Sequence, residues 1–176
     1  MTLVEMWEGL ARERVRFVIV GGVAGVAHGS VRRTEDLDIC YDTSPDNVER
    51  LATLLTAWHA RLHLPSEPDA RLPFTIDVRT FRDSPVLTLR TDLGRLDLMD
   101  QVTGVGDYTA AVAKSQQEKF GTVELRVLTL DALIASKRAA GRDRDLEHLI
   151  ELEALRVLKR ELAKPAPRRA RRRRSR

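Results

Sequence analysis

Residues 17–39 read FVIVGGVAGVAHGSVRRTEDLDI, and this stretch decides the fold. Phe17 to Val20 is a short continuous run rich in β-branched residues, which suits a strand covered on both faces. It stops abruptly at Gly21-Gly22. Residues 23–28 then read as a short helix, with Gly25 and Gly29 allowing close backbone approach. Leu37 to Tyr41 reads as a second strand. Asp36 and Asp38 fall two apart and share one face, with Cα atoms roughly 6–7 Å from each other. Leu37 and Ile39 face the other way and can anchor the strand in a core.

Two carboxylates so placed can converge on one divalent ion, or on two ions about 3.5–4 Å apart. Acids suit this task because Mg²⁺ prefers hard oxygen ligands and shares its shell with substrate phosphates. The glycines have a different use. A strand-to-helix turn without side chains lets phosphate oxygens approach backbone N–H groups, and the helix N-terminus adds partial positive charge. The first turn is therefore expected to hold a triphosphate and the second strand a metal. A dinucleotide-binding turn is the nearest rival, since Gly22 and Gly25 follow a strand. Val20 breaks the GxGxxG pattern, however, and two same-face acids exceed what one ribose contact requires.

A third acid is wanted, to complete metal binding or to take a proton from an attacking hydroxyl. Asp97, in Leu96-Asp97-Leu98, is the best candidate, because a core strand has no other need of an acid there. Asp77, in Ile76-Asp77-Val78, has the same local look and is the runner-up. Asp92 and Asp100 read as turn or strand-end residues.

Outward from this centre, residues 3–13 read as a helix, with capping-box spacing between Thr2 and Glu5. Ser44-Pro45-Asp46 opens another helix, with Val48, Leu51, Leu54, Leu55 and Trp58 as its buried stripe. Residues 61–73 carry Pro65, Pro68 and Pro73 and are expected to form a loop. Strands near 85–91 and 95–99 flank an Asp92-Leu93-Gly94 turn. A helix is expected at 107–114, and a half-buried strand at Val123, Leu125 and Val127. Helices near 129–140 and 143–162 close the order, with Gly141 between them and Asp143 as a possible cap. The expected fold is α/β (α+β): a small mixed sheet with flanking helices and a helical C-terminal layer.

The length of 176 residues favours one domain, expected over 1–163. The net charge of +4 conceals an asymmetry. Residues 164–176 carry eight basic residues and no acid, so the tail is +8 and the body about −4. The body is not a basic nucleic-acid-binding domain. The tail reads as disordered and as either a weak nucleic-acid arm or a solvated end. Cys40 is the only cysteine, so no intrachain disulfide forms. His28, His59, His63 and His148 lack zinc spacing. No run approaches the ~20 apolar residues that span a bilayer, and the N-terminus lacks the order of a secretory signal. A cytoplasmic protein without a membrane partner is expected.

The Gly-Gly turn, the spacer and the Asp-x-Asp resemble the DNA-polymerase-β-type nucleotidyltransferase superfamily. More narrowly, GGVAGVAHGSVRRTEDLDI resembles the AbiEii-like nucleotidyltransferases, a group that includes toxins of type IV toxin–antitoxin systems. LIASKRAAGRDRDLEHL, residues 133–149, resembles the helical block in which that group carries Lys, then Arg and Asp. The likeness spans roughly residues 15–155. It implies that Asp36, Asp38 and Asp97 bind Mg²⁺ or Mn²⁺, and that Gly21 and Gly22 form the phosphate turn. Gly22 stands where many members have serine. It further implies that Lys137 meets the nucleotide phosphates and that Arg142 and Asp145 belong to the same block. Arg33 and Thr34 are nucleotide-binding candidates; Arg32 and Arg33 can equally be surface residues, and Thr34 can bond the local backbone. Taken alone, Lys137 reads as a solvated helix residue. The implied reaction moves NMP from an NTP to a hydroxyl, releasing pyrophosphate. RNA is the favoured acceptor, with tRNA first, and a cognate antitoxin is an expected partner. An antitoxin-side nucleotidyltransferase that modifies a protein and a non-catalytic interaction module of the same fold are the alternatives.

Overall fold

The computed structural model describes residues 3–63 and 76–164. The chain runs α1 (Leu3–Arg12), β1 (Phe17–Ile19), α2 (Gly21–Ala27), β2 (Asp36–Tyr41), α3 (Pro45–Ala57), β3 (Arg61–Leu62) and α4 (Val78–Asp83). It continues through β4 (Val86–Thr91), β5 (Gly94–Met99), β6 (Gln101–Val102), β7 (Gly106–Asp107) and α5 (Tyr108–Ala113). Then come β8 (Ser115–Phe120), β9 (Val123–Leu128), α6 (Leu130–Ala140), a 3-10 turn (Asp143–Asp145) and α7 (Leu146–Leu162). The expected capping residue Thr2, the prolines at 65, 68 and 73, and residues 165–176 lie outside the described residues.

Among the described residues, seven strands form one mixed sheet in the order β3-β4-β5-β2-β1-β9-β8, and β6 pairs with β7 separately. β1 is antiparallel to β2 and parallel to β9, and β2 is parallel to β5. This topology removes the dinucleotide-binding rival, whose glycine turn joins strands that run parallel.

The period-2 alternation of β2, β4 and β5 divides the sheet into two unlike faces. Leu37, Ile39, Leu87, Leu89, Leu96 and Leu98 point into the main core. Met6 and Leu10 of α1, Leu51 and Leu55 of α3 and Phe81 of α4 cover them. Each fully buried leucine contributes roughly 1.5–3 kcal/mol. The opposite face is closed only in part. Val18, Val20 and Cys40 form a second core with Val102, Val105, Ala111 and Leu128. Beyond Cys40 on that face, β2 carries Asp36 and Asp38, which no apolar layer covers.

At the other end, the buried Asn47 clamps β1 to β2. Its Oδ1 accepts from the Arg16 amide at 2.7 Å, and its Nδ2 donates to the Arg16 and Asp42 carbonyls at 3.1 and 2.7 Å. Arg16 donates to Asp42 Oδ2 at 2.6 Å. This clamp fixes the register that brings the glycine turn beside Asp38.

Several expectations need correction. Asp77 is not on a strand: it caps α4, accepting from the Thr80 amide at 2.9 Å, with Thr80 reciprocating. Residues 61–62, expected in a loop, form an edge strand against β4. Residues 115–120, given no element in the sequence reading, pair with β9 along their whole length. Asp143 does not cap α7; it opens the 3-10 turn, and Asp145 precedes the helix.

Candidate active site

The C-terminal end of β1, the start of β2, the middle of β5 and the facing ends of α6 and α7 enclose a cavity of about 680 Å³. Gly21, Gly22, Arg33, Thr34, Asp36, Asp38, Asp97, Lys137, Arg142 and Asp145 all line it. Residues separated by more than a hundred positions thus line one cavity. Asp77 is absent from it.

Asp38 and Asp97 are register partners across β2 and β5, as are Asp36 and Arg95. Neighbouring strands lie roughly 4.8 Å apart, so the three acids crowd one small area. Asp36 Oδ2 accepts an ion pair from Arg95 Nη2 at 2.8 Å. Asp38 Oδ2 accepts from the Gly22 amide at 3.3 Å. Asp36 Oδ1 and Asp97 Oδ1 are buried without a hydrogen-bond partner.

Burial is the main reason that the Asp38 carboxyl is pushed up to about 6, with Asp97 as the next contributor. The Gly22 amide opposes the rise, Asp36 adds to it, and Lys137 opposes it. Burial likewise raises Asp97, against the pull of Thr88 and Arg95. The two carboxyls therefore share one deficit: negative charge held in a dehydrated place without enough positive charge nearby.

The glycine turn is built tightly around these acids. Gly21 has φ +59°, and a Cβ there would collide with the Asp38 carboxylate. A Cβ on Gly22 would lie 2.5 Å from Thr34 Oγ1. The Thr34 hydroxyl donates to the Asp36 carbonyl at 3.1 Å, which holds it in that place. So Gly22 has no room for a side chain, and the Thr34 hydroxyl occupies the adjoining space.

Lys137, on α6, donates to Asp145 Oδ1 at 2.8 Å, and both side chains are largely buried, at 12% and 18% exposure. The bond ties the end of α6 to the 3-10 turn and holds the ammonium at the cavity wall. Arg33 and Arg142 are exposed at the rim.

The lining residues that the sequence reading does not assign to the site include His63, Thr88, Arg95, Ser136 and His148. Arg95 was legible in principle, since it shares strand parity with Asp97. His148 is buried, with Nε2 lacking a partner, and lies against Gly25, where a Cβ would come within 2.7 Å of Nε2. Burial, then Lys137, lowers its pKa and favours the neutral ring. His28 is structural: its Nε2 donates to the Leu128 carbonyl at 2.7 Å.

The donor set fits a divalent ion of the magnesium class. It offers hard oxygen ligands, and two of those oxygens are buried and unsatisfied. Among the described residues, no three acidic, histidine or cysteine side chains are already gathered at metal-ligand spacing. Asp36 and Asp38 are held on separate partners, Arg95 and the Gly22 amide. Among the described residues no helix is long and apolar enough to cross a membrane.

No protein-family model matches the chain, and no curated protein matches it. Solved structures do. ANT(2″)-Ia in complex with adenylyl-2″-tobramycin is 14% identical, covering 93% of this chain and 100% of that one, with a TM-score of 0.52. The solution structure of the antibiotic-resistance factor ANT(2″)-Ia is 14% identical over 91% and 90%, also with a TM-score of 0.52. A Thermotoga maritima protein described as a candidate nucleotidyltransferase is 15% identical over 90% and 91%, with a TM-score of 0.49. At these identities the likeness to ANT(2″)-Ia is one of fold, and the mixed α/β architecture expected from the sequence is the one found.

Proposed function

We propose that this chain is a metal-dependent nucleotidyltransferase of AbiEii-like kind, which moves NMP from an NTP to a hydroxyl acceptor and releases pyrophosphate. The observation that carries the reading is the convergence of Asp36, Asp38 and Asp97 beside the Gly21-Gly22 turn, with Lys137 on the facing wall. Each feature alone has a bland explanation. Their meeting in one cavity, around carboxyls held in a strained electrostatic state, does not.

In this reading Asp36, Asp38 and Asp97 hold Mg²⁺ or Mn²⁺. When bound, the ion supplies charge neutralisation at the phosphates and lowers the pKa of a coordinated hydroxyl. The amides at the start of α2 receive phosphate oxygens, and Thr34 and Arg33 border the same turn. Lys137 offsets negative charge on the phosphates, with Asp145 orienting its ammonium and Arg142 at the rim. The acceptor oxygen attacks the α-phosphorus. The bond from that phosphorus to the bridging oxygen of pyrophosphate breaks, and the electron pair leaves with pyrophosphate. Asp97 takes the acceptor proton.

RNA, with tRNA first, is the favoured acceptor by resemblance. The basic segment 164–176 gives a salt-sensitive hold on such a partner. A toxin role in the cytoplasm, with a cognate antitoxin, belongs to the same resemblance. The test is transfer from four α-phosphate-labelled NTPs, with Mg²⁺, into cellular RNA and protein fractions, beside an Asp38→Ala control. Label in RNA that the control lacks supports the reading. Label in protein alone moves the acceptor to a protein hydroxyl. No label from folded protein that also fails to bind any NTP sinks the enzyme.

A further inference from the structure

The sheet face that bears the acids carries a second pattern. Register pairs Asp36 with Arg95 across β2 and β5, Arg95 with Arg90 across β5 and β4, and Arg90 with Arg61 across β4 and β3. Paired residues on adjacent strands point to the same face. Three arginines therefore stand in one row, which starts beside the acid set and ends at the sheet's edge strand. At roughly 4.8 Å between strands, the row from Arg95 to Arg61 runs about 10 Å.

Folding does not call for this row. Like charges directly opposed on neighbouring strands destabilise a sheet. Asp36 offsets Arg95. Among the described residues, no carboxylate forms an ion pair with Arg90 or Arg61. An anionic ligand would supply what the protein does not. Guanidinium forks match phosphate oxygens in bidentate fashion, and a row of them suits a chain of phosphates better than a single one. At roughly 3.4 Å per nucleotide of a stacked strand, 10 Å spans about three phosphates.

We propose that Arg95, Arg90 and Arg61 form a track for the phosphodiester backbone of a single-stranded nucleic acid, whose terminal hydroxyl then reaches Asp97. The proposal rests on the transfer reading above and adds to it where the acceptor lies. The adjacent row, Asp38, Asp97 and Thr88, does the chemistry. The arginine row lies two residues away along the same strands and guides the substrate toward it. The direction is fixed, because the track leads away from the glycine turn and leaves the nucleotide's own phosphates to α2 and Lys137.

The test uses the full chain, its basic tail retained, and a 5′-labelled single-stranded oligoribonucleotide followed by fluorescence anisotropy across salt concentrations. Each lost phosphate contact flattens the log–log salt dependence by about 0.7 for a single strand. The double variant Arg61→Gln/Arg90→Gln should therefore lower the slope by about 1.4. Its NTP affinity should be unchanged, and Arg61→Lys/Arg90→Lys should keep the slope. An unchanged slope in a folded Gln variant overturns the track. So does a loss of NTP affinity with the slope intact, since the row would then serve the nucleotide. Equal competition by a polyglutamate peptide also overturns it. The two readings fail separately: transfer that proceeds with an unchanged slope sinks only the track. A strand that responds to the variants, on a protein that neither transfers nor binds any NTP, supports the track and sinks the enzyme.

Discussion

Asp38 stands directly opposite Asp97 in adjacent parallel strands, and burial together with that neighbouring charge pushes its carboxyl up to about 6. Between the ordinary value of 3.8 and about 6, the folded protein holds more protons at this site than the unfolded chain. Stability contributed by the protonated form is thus fully present below about pH 4 and is lost as pH rises through about 6. Asp38→Asn should remove this slope and raise the melting temperature of the metal-free protein near neutral pH. Melts of both proteins at several pH values check it; parallel curves would show that Asp38 is not the group responsible. Divalent-ion binding should show the opposite trend, tightening as pH rises through about 6, because ligands bind deprotonated.

Arg95 competes with a cation for Asp36, since its guanidinium lies 2.8 Å from Oδ2. Arg95→Gln should tighten Mn²⁺ binding severalfold, up to about fivefold, the equivalent of the roughly 0.2–1 kcal/mol that an exposed ion pair is worth. Paramagnetic relaxation titration of the two proteins measures this directly. Weaker binding in the variant would mean that Arg95 supports the ligand set.

The Gly22 and Thr34 positions are sterically coupled. Gly22→Ser alone should destabilise by about 1–3 kcal/mol, as overpacking does. Gly22→Ser with Thr34→Gly should recover most of that loss, because Thr34 Oγ1 and Cβ are the atoms that the new side chain meets. Denaturant unfolding of the two single variants and the double variant completes the cycle. Additive losses would show that the two residues are independent.

Lys137 and Asp145 form a largely buried pair. Lys137→Met should cost about 1–3 kcal/mol, since it removes a charge-assisted bond to a largely buried carboxylate. It should also weaken NTP binding, whereas Lys137→Arg should retain part of both. Calorimetric NTP titration beside thermal melts separates the two effects. Intact NTP affinity in the Met variant would reduce Lys137 to a structural role.

Much of this candidate site is legible in the sequence because its parts are encoded locally. The Phe17–Val20 run, the glycine turn and the alternation around Asp36 and Asp38 need only neighbours in sequence. The hairpin of β4 and β5 follows from its apolar alternation and its turn. Asp77 shows where local context misleads. Its Ile-Asp-Val setting matches that of Asp97, yet Thr80 stands three residues on, and that spacing makes a helix cap. β8 was missed for another reason. SQQEKF is an edge strand with only Phe120 strongly apolar, so no hydrophobic period marks it, and only pairing with β9 defines it. The arginine row escaped notice likewise. Arg61, Arg90 and Arg95 are scattered in sequence and become neighbours only through strand order.

The bond from His28 to the Leu128 carbonyl spans 100 residues, and the strand pair that seats the glycine turn closes over a similar distance. Asp36 and Asp38 are made early in synthesis, Asp97 midway, and the helix that carries Lys137 late. At roughly 5–20 residues per second, a ribosome takes on the order of 5–20 s to bridge that gap. During that interval the growing chain holds Asp36 and Asp38 without the facing lysine. The cavity is therefore complete only once α6 and the start of α7 have been made and packed against the sheet.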